Sequence, residues 1–279
     1  MMLSMVIRMI IYSYDNLIQY ASGDGNDIIY NDQNKVKLTG SDNNDTIDNF
    51  GNKVTVTSGA GNDSLRNHVT HVLIEAGADD DTIEAYVIDK DSSSYTTLRG
   101  GASNDHIDNH GHHVLIEGGT GNDTLGNYTG DDNGIHEQYE ADYSTMLGGD
   151  GDDYIDNRGD NSSIDGGKDT DKIYGGSGND TLWGNAGNDS LYGGAGNETF
   201  IYKPGEGTDK IFDYASGDML KILKTNGKDG GTFTKGTFSK GNLTLAISGG
   251  GSVIFDGVSK GDVININGTN HTINGKTFK

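Results

Sequence analysis

Apolar residues recur along this chain with a fixed period. The segment 175–201 reads GGSGNDTLW GNAGNDSLY GGAGNETFI, and each nine-residue unit gives its eighth position to a large apolar residue. Nearer the amino terminus the same unit recurs every 18 residues, which is two nines. A unit this poor in apolar surface cannot fold alone, so the period predicts short β-strands stacked into a solenoid. The predicted inward residues are Ile29, Ile47, Leu65, Ile83, Ile107, Leu125, Ile155, Ile173, Leu182, Leu191 and Phe200.

An acidic residue stands two positions before each of these apolar residues. Each acid follows a glycine-rich loop, and glycine lets main-chain carbonyls converge on one ion while aspartate adds a short carboxylate. The pattern therefore indicates a repeated cation site. The longer Glu198 is expected to mark the last turn, and Asp180 is expected to lie between two complete loops. The acids in register are Asp27, Asp45, Asp63, Asp81, Asp105, Asp123, Asp153, Asp171, Asp180 and Asp189, with Glu198 in the last copy.

The alternate half-units of the first half of the chain are apolar where the acid would stand. They read NKVKL, NKVTV, THVLI and HHVLI, so one edge of the coil is expected to bind cations and the other to pack Val36, Val54, Val72 and Val114. An asparagine recurs at the turn into this half, at positions 31, 49, 67, 109, 127 and 157. Two interpretations stay open: a hydrogen-bonded asparagine ladder, or a residue that tolerates a left-handed turn.

The composition of the chain also indicates that it binds cations. The 279 residues include 45 Gly, one Pro and no Cys, and the formal net charge is −22. Such charge disfavours compaction without bound cations and argues against nucleic acid as a partner. The absence of cysteine excludes disulfides and thiolate sites, which leaves hard oxygen ligands suited to calcium. No apolar run reaches the roughly 18 residues of a membrane span.

The units resemble the RTX calcium-binding nonapeptide G-G-x-G-x-D-x-U-x over residues 22–201. The resemblance implies an all-β fold, a right-handed parallel β-roll with Ca²⁺ between successive loops. The ligands that it implies, besides the ten aspartates, are main-chain carbonyls of the loops. These lie among Gly166, Lys168, Gly175, Gly176, Ser177, Gly178, Gly184, Ala186, Gly187, Gly194 and Gly196.

The resemblance also suggests a division of the chain. Residues 1–21 are interpreted as edge strands or the remnant of a longer parent, 22–201 as the roll, and 202–279 as a β-rich cap. The period is expected to stop after Ile201, and the alternating stretch that follows predicts antiparallel strands. By resemblance, this cap carries the signal for the type I secretion machinery, which implies a secreted or cell-surface location.

No catalytic motif was found. H-E-x-x-H and G-x-S-x-G are both missing from the sequence. The leading hypothesis is a non-enzymatic calcium-folded structural or adhesive module. The alternative is the carboxy-terminal module of a larger secreted hydrolase, epimerase or toxin. An ice-binding solenoid is disfavoured because the outward positions are mixed.

Two inserts, at 84–99 and 127–147, interrupt the period. They are interpreted as tolerated surface loops, and the alternative is a site for a surface glycan or cell-surface partner around Tyr86, Tyr95, Tyr139, Tyr143 and His136. A histidine cluster at 106, 110, 112 and 113 is interpreted as solvated turn residues, because its members fall at different places of the repeat.

Overall fold

The computed structural model describes residues 6–8, 18–86, 95–128, 141–274 and 277–278, and within them every regular element is a β-strand. The chain divides into two compact units, Met1–Leu147 and Gly148–Lys279. Each unit is a parallel β-solenoid, so the predicted all-β solenoid class is confirmed. The right-handed sense of the coil stays a prediction.

The first unit contains two parallel sheets. Its strands are β1 (Val6–Arg8), β2 (Ile18–Ala21), β3 (Ile28–Asn31), β4 (Val36–Asp42), β5 (Thr46–Asn49), β6 (Thr55–Ala60), β7 (Ser64–Asn67), β8 (Leu73–Ala78), β9 (Thr82–Ala85), β10 (Thr96–Ala102), β11 (His106–Asn109), β12 (Val114–Thr120) and β13 (Thr124–Asn127). The odd-numbered strands form one sheet and the even-numbered strands form the other. β14 (Thr145–Asp150) contains the boundary between the units.

The repeat sets the register of the first unit. Ile47 lies opposite Ile29 and Leu65 in one sheet, and Val56 lies opposite Leu38 in the other. All of these side chains are buried. Because successive strand residues point to opposite faces, the repeated apolar positions form the core and the residues between them face outward.

The second unit continues the same arrangement and then changes. Its strands are β15 (Tyr154–Asn157), β16 (Ser163–Lys168), β17 (Lys172–Tyr174), β18 (Ser177–Gly178), β19 (Thr181–Ala186), β20 (Ser190–Tyr192), β21 (Ala195–Gly196), β22 (Thr199–Tyr202), β23 (Thr208–Phe212), β24 (Met219–Ile222), β25 (Phe233–Ser239), β26 (Asn242–Ile247), β27 (Ser252–Phe255), β28 (Val263–Ile266), β29 (Thr269–Thr272) and β30 (Thr277–Phe278).

The repeat was expected to stop after Ile201, but parallel strand pairing continues beyond it. β23 pairs in parallel with β20, and β24 pairs in parallel with β22. The expected antiparallel strands follow: β26 pairs with β25 and β27, and β28 pairs with β29. The solenoid therefore gains a further turn before the antiparallel strands cover it.

The recurring asparagine forms a ladder in the first unit. Asn31 Nδ2 donates to Asn49 Oδ1 at 2.7 Å, and Asn49 Nδ2 donates to Asn67 Oδ1 at 2.9 Å. The left-handed residue of this turn is Lys53, with φ 59°, and not Asn49. The ladder interpretation is therefore correct and the turn interpretation is wrong.

Removal of one rung should destabilise the first unit. Asn49 is completely buried, and its side chain also donates to the Gly51 carbonyl at 3.0 Å. Asn49→Ala removes both ladder bonds and takes the side-chain partner from Asn67 Oδ1 and from the buried Gly51 N–H and carbonyl, so we expect a loss of about 2–3 kcal/mol in the free energy of unfolding. Denaturant titration in saturating calcium measures it. Exposed Asn52→Ala is the control, and equal stability of the two variants would contradict the ladder's role.

Aromatic rings stack along one face of each unit. In the first unit His68 stacks on Phe50 at 4.2 Å between centroids, and Tyr86 stacks on His110 at 5.1 Å. His110 is thus a half-buried member of a stack and not the solvated turn residue that was expected. In the second unit Tyr192 stacks between Tyr174 and Phe212 at 4.5 and 4.3 Å. Tyr139 and His136 lie outside the described residues.

Candidate metal centre

The predicted aspartates form a column along one edge of each unit. In the first unit, Oδ1 of Asp45 accepts the main-chain N–H of Asp27 at 2.8 Å, and Oδ1 of Asp63 accepts that of Asp45 at 2.7 Å. The same bond recurs from Asp63 to Asp81, from Asp81 to Asp105 and from Asp105 to Asp123. Each carboxylate therefore reaches back to the loop one turn earlier, and the column is buried.

The second unit repeats this arrangement. Asp153 N–H donates to Asp171 Oδ1, and Asp171 N–H donates to Asp189 Oδ1, both at 2.9 Å. Asp180 lies on the opposite edge, where its Oδ1 accepts the Ser162 N–H at 2.7 Å. Loops at both edges were expected between 171 and 189, and they are present.

The other carboxylate oxygen of these aspartates, Oδ2, indicates what the column binds. Oδ2 of Asp27, Asp45, Asp81 and Asp105 in the first unit, and of Asp171 and Asp189 in the second, is buried and accepts no hydrogen bond. Burying a carboxylate oxygen without a partner is costly. A row of such oxygens at one edge fits a row of bound cations.

The pKa values point the same way. Burial, with neighbouring aspartates adding to it, raises the pKa of Asp171 to about 8 and those of Asp81 and Asp105 to about 7. The pKa values of Asp45 and Asp123 rise to about 6, chiefly through burial. The charged forms are thus unfavourable in the protein alone, and a cation in contact with them removes this penalty.

Glycine at the first loop position makes room for the carboxylate. A Cβ on Gly166 would lie 2.3 Å from Asp171 Oδ2, and one on Gly184 would lie 2.3 Å from Asp189 Oδ2. Gly196 has φ 146°, and a Cβ there would lie 1.6 Å from the Gly178 carbonyl oxygen. The loops therefore stack as closely as bare main chain allows.

The structure brings the predicted carbonyl residues together as stacked loops. Lys168 lies opposite Ala186 on the edge of Asp171 and Asp189. Ser177 lies opposite Ala195 on the edge of Asp180, with Gly178 opposite Gly196. Gly166 and Gly184 belong to the first edge; Gly175, Gly176 and Gly194 belong to the second. Their role as ligands stays a prediction.

Side chains alone do not complete a site. Among the described residues, no three His, Asp or Glu side chains are grouped so as to hold a metal ion. A cation between two loops must therefore draw on main-chain oxygens as well as on carboxylates. Such an all-oxygen donor set suits calcium and does not suit zinc or copper.

The apolar edge of the first unit is as predicted. Val36, Val54, Val72 and Val114 are all buried. Asp180 was expected between two complete loops; on the second edge the loop before it ends at Ser162 and the loop after it ends at Glu198. Only the loop after it has the repeated glycines, whereas Asp171 and Asp189 stack directly on each other on the first edge.

Sequence reasoning missed two acids in register. Asp209 Oδ1 accepts the Asp189 N–H at 3.3 Å, and Asp218 Oδ1 accepts the Glu198 N–H at 3.1 Å. Glu198 is therefore not the last member of its column. The signal was present, since GEGTDKI at 205–211 has the form G-x-G-x-D-x-U, but its step from Asp189 is 20 residues and not 18.

The residue before each aspartate also has a role that the sequence did not reveal. Asn44 Oδ1 accepts the Asn62 N–H at 3.2 Å, and Asn179 Oδ1 accepts the Asn197 N–H at 3.0 Å. These bonds run toward the following loop, whereas the aspartate bonds run toward the preceding one. Each loop is thus tied in both directions.

Comparison with known proteins identifies the repeats. Residues 165–200 match the family model of the RTX calcium-binding nonapeptide repeat (4 copies). This match and the parallel β-solenoid confirm the repeat type expected from the sequence. The chain therefore carries calcium-binding repeats of the RTX class.

Whole-chain comparisons add little. No curated protein matches the chain. Among solved structures, the extracellular lipase LipA from Serratia marcescens is 20% identical over 85% of this chain and 38% of the lipase chain, with a TM-score of 0.34. The chain thus spans well under half of the lipase's length, and a likeness at this TM-score carries no argument. No helix in the described ranges is long and apolar enough to cross a membrane.

Proposed function

We propose that this chain is a calcium-folded β-roll that serves as a structural or adhesive module of an exported protein. The observation that carries the proposal is the set of buried aspartate Oδ2 atoms that accept no hydrogen bond, at Asp27, Asp45, Asp81, Asp105, Asp171 and Asp189. The residues proposed to bind Ca²⁺ are the aspartates of the column together with main-chain oxygens of the flanking loops.

Charge repulsion makes the bound cation a condition of folding. Stacked strands lie about 4.8 Å apart, so neighbouring bare carboxylates repel by roughly 3 kcal/mol at an effective dielectric constant near 20. Several such pairs are comparable with the stability of an ordinary domain, about 5–15 kcal/mol. Calcium between the loops converts this repulsion into attraction.

The proposal includes export and excludes catalysis. Export by a type I secretion system and an extracellular or cell-surface location rest on the resemblance of residues 202–279 to the cap of RTX proteins. The absence of a recognisable catalytic motif from the sequence supports a non-enzymatic role. The adhesive partner is a glycan or another component of a cell surface. Calcium controls whether the β-roll that binds this partner is folded.

Asp171→Asn tests the assignment of the column. The variant removes one charge between two complete loops, so we expect the calcium concentration at half-maximal folding to rise at least about threefold. Circular dichroism during calcium titration measures this midpoint. Asp169→Asn is the matched control, because Asp169 is exposed in the same loop and its φ of 70° suits asparagine. Equal midpoints for the two variants would contradict the assignment.

A further inference from the structure

Each of the two inserts contains a tyrosine at the same position of the turn. Tyr95 directly precedes β10 and His113 directly precedes β12, and these two strands pair in parallel and in register. Tyr143 stands at this position in the next turn, because the His113 N–H donates to the carbonyl of the preceding residue, Asp142, at 3.0 Å. The two tyrosines therefore lie on one face of the first unit, on either side of His113.

Turns of the first unit that follow no insert have a different residue at this position. It is occupied there by Lys35, Lys53 and His71, whose φ values of 59–60° are close to the 55° of Tyr143. The turn conformation thus accepts lysine and histidine. Tyrosine is not required to form the turn, so its presence after both inserts calls for another reason.

Both tyrosine rings are open to solvent. Tyr95 is 73% exposed and Tyr143 is 59% exposed, compared with 45% for Tyr30 in the aromatic stack of the other sheet. A tyrosine side chain has few rotatable bonds, so it can cover a ligand at a low cost in conformational entropy. Two such rings on one face are suited to binding and contribute little to the core.

Two pairs of rings border a cavity on this face. Tyr95 lies edge-on to His71 with 6.4 Å between ring centroids, and Tyr143 is tilted against His113 at 5.3 Å. The cavity has a volume of about 310 Å³. Small-molecule sites begin at roughly 300 Å³, so the space suits one ring-sized group. The lining residues are Tyr95, His113, Val114, Leu115, Tyr143 and Thr145.

The lining combines the two kinds of group that a sugar ring needs. A hexopyranose presents C–H groups on its faces, which pack on aromatic rings, and hydroxyl groups around its rim. The tyrosine rings supply the apolar surface, and the hydroxyl of Thr145 and the ring nitrogens of His113 supply donors and acceptors.

The charges of this face favour a neutral sugar over an acidic one. Arg99, on the same face of β10, is already paired with Glu75 at 3.1 Å and with Glu117. The chain as a whole has a formal net charge of −22, which repels anionic ligands. No cation lines the cavity that could pair with a carboxylate or sulfate group, as far as the described residues show.

We propose that this cavity binds a neutral hexopyranose unit of a glycan. Tyr95 and Tyr143 are its stacking residues, and His113 and Thr145 are its polar contacts. The inference rests on the proposed adhesive module and names the chemical class of its partner. Tyr86 is not part of the site, because it stacks with His110 along the other sheet.

Saturation-transfer difference NMR of the full chain in saturating calcium tests the proposal. The probes are the methyl glycosides of glucose, galactose, mannose and N-acetylglucosamine, with methyl glucuronoside as the acidic comparison. We expect transfer from the protein to the ring C–H protons of at least one neutral sugar. Transfer to the glucuronoside should be weaker.

Variants locate the bound sugar. In Tyr95→Ala and in Tyr143→Ala the dissociation constant of the best neutral sugar should rise about tenfold, because each variant removes one stacking ring. Tyr143→Phe keeps the ring and should bind nearly as well as the parent. Tyr30→Ala is the matched control, since Tyr30 is an exposed tyrosine of the same unit on the other sheet, and it should leave binding unchanged.

The outcomes separate this site from the proposed function. Absence of transfer to every neutral sugar would overturn the proposal, as would stronger transfer to the glucuronoside. A parental dissociation constant in either folded alanine variant would also overturn it. Circular dichroism in calcium shows whether each variant folds, and Tyr95→Ala decides if Tyr143→Ala does not fold. If calcium leaves the β-structure of the parent unchanged, the proposed function itself fails.

Discussion

In excess chelator the chain is expected to lose most of its β-structure, and calcium should restore it. Asp45, Asp81 and Asp105 in the first unit and Asp171 in the second are buried, and burial raises their pKa values to between about 6 and 8. Without calcium at neutral pH, folding must therefore either bury charged carboxylates or take up protons. Both routes cost free energy that the thin core does not offset.

The calcium dependence should be steep and should fall in a defined range. Metal sites that form only on folding couple binding to folding, and extracellular calcium sites have dissociation constants of about 10⁻⁴–10⁻³ M. We therefore expect the far-ultraviolet circular dichroism signal to change cooperatively in this range. Magnesium at the same concentration is the control, because it demands a tighter octahedral shell. Equal β-content with calcium and with chelator would contradict ion-driven folding.

Val54→Asp is expected to destabilise the first unit strongly and to create no new calcium site. Val54 is 2% exposed and lies in the apolar column between Val36 and Val72. A carboxylate there would be buried against aliphatic side chains, where its charged form costs on the order of 3 kcal/mol or its pKa rises. The loop before it lacks the repeated glycines, so no carbonyls converge on the new oxygen atoms.

Titration calorimetry and denaturation test this prediction together. The calcium stoichiometry of Val54→Asp should equal that of the parent, with weaker apparent binding because folding and binding are linked. Thr55→Asp is the control, since Thr55 is the next residue of the strand and is only half-buried. An additional bound ion in Val54→Asp, or stability equal to that of Thr55→Asp, would mean that this edge also accommodates metal.

Strict periodicity made the core and the main column predictable. Ile47 and Leu65 follow their acids by two positions, and Val56 follows Val54 by two, so alternation alone assigns them to the interior. The pattern succeeded because stacked turns repeat one environment. A residue that recurs every 18 positions meets its own copy above and below.

The sequence prediction is incomplete where the spacing between successive acids departs from 18 residues or where a copy of the loop is missing from one edge. Asp209 was missed because its step is 20 residues, although its local motif is intact. Asp180 lacks a complete loop before it because the position 18 residues earlier is Ser162, in a segment without the repeated glycines.

Only some of the side-chain contacts between successive turns could be predicted from the sequence. The asparagine ladder followed from identical residues at one register, as with Asn31 and Asn49. The aromatic stack of the first unit did not, because its members differ in type and the contact from Tyr30 to Phe50 spans 20 positions. A row of different residue types leaves no repeated letter in the sequence.

The position of calcium in crystals grown with the ion shows directly whether this edge of the solenoid binds metal. An anomalous difference map should show peaks between the loop that ends at Asp171 and the loop that ends at Asp189, within coordination distance of both carboxylates. Peaks should also follow the column from Asp27 to Asp123 in the first unit, with none beside Val54. Well-ordered loops at Asp171 and Asp189 with no anomalous density between them would contradict the claim that this edge is built to bind calcium.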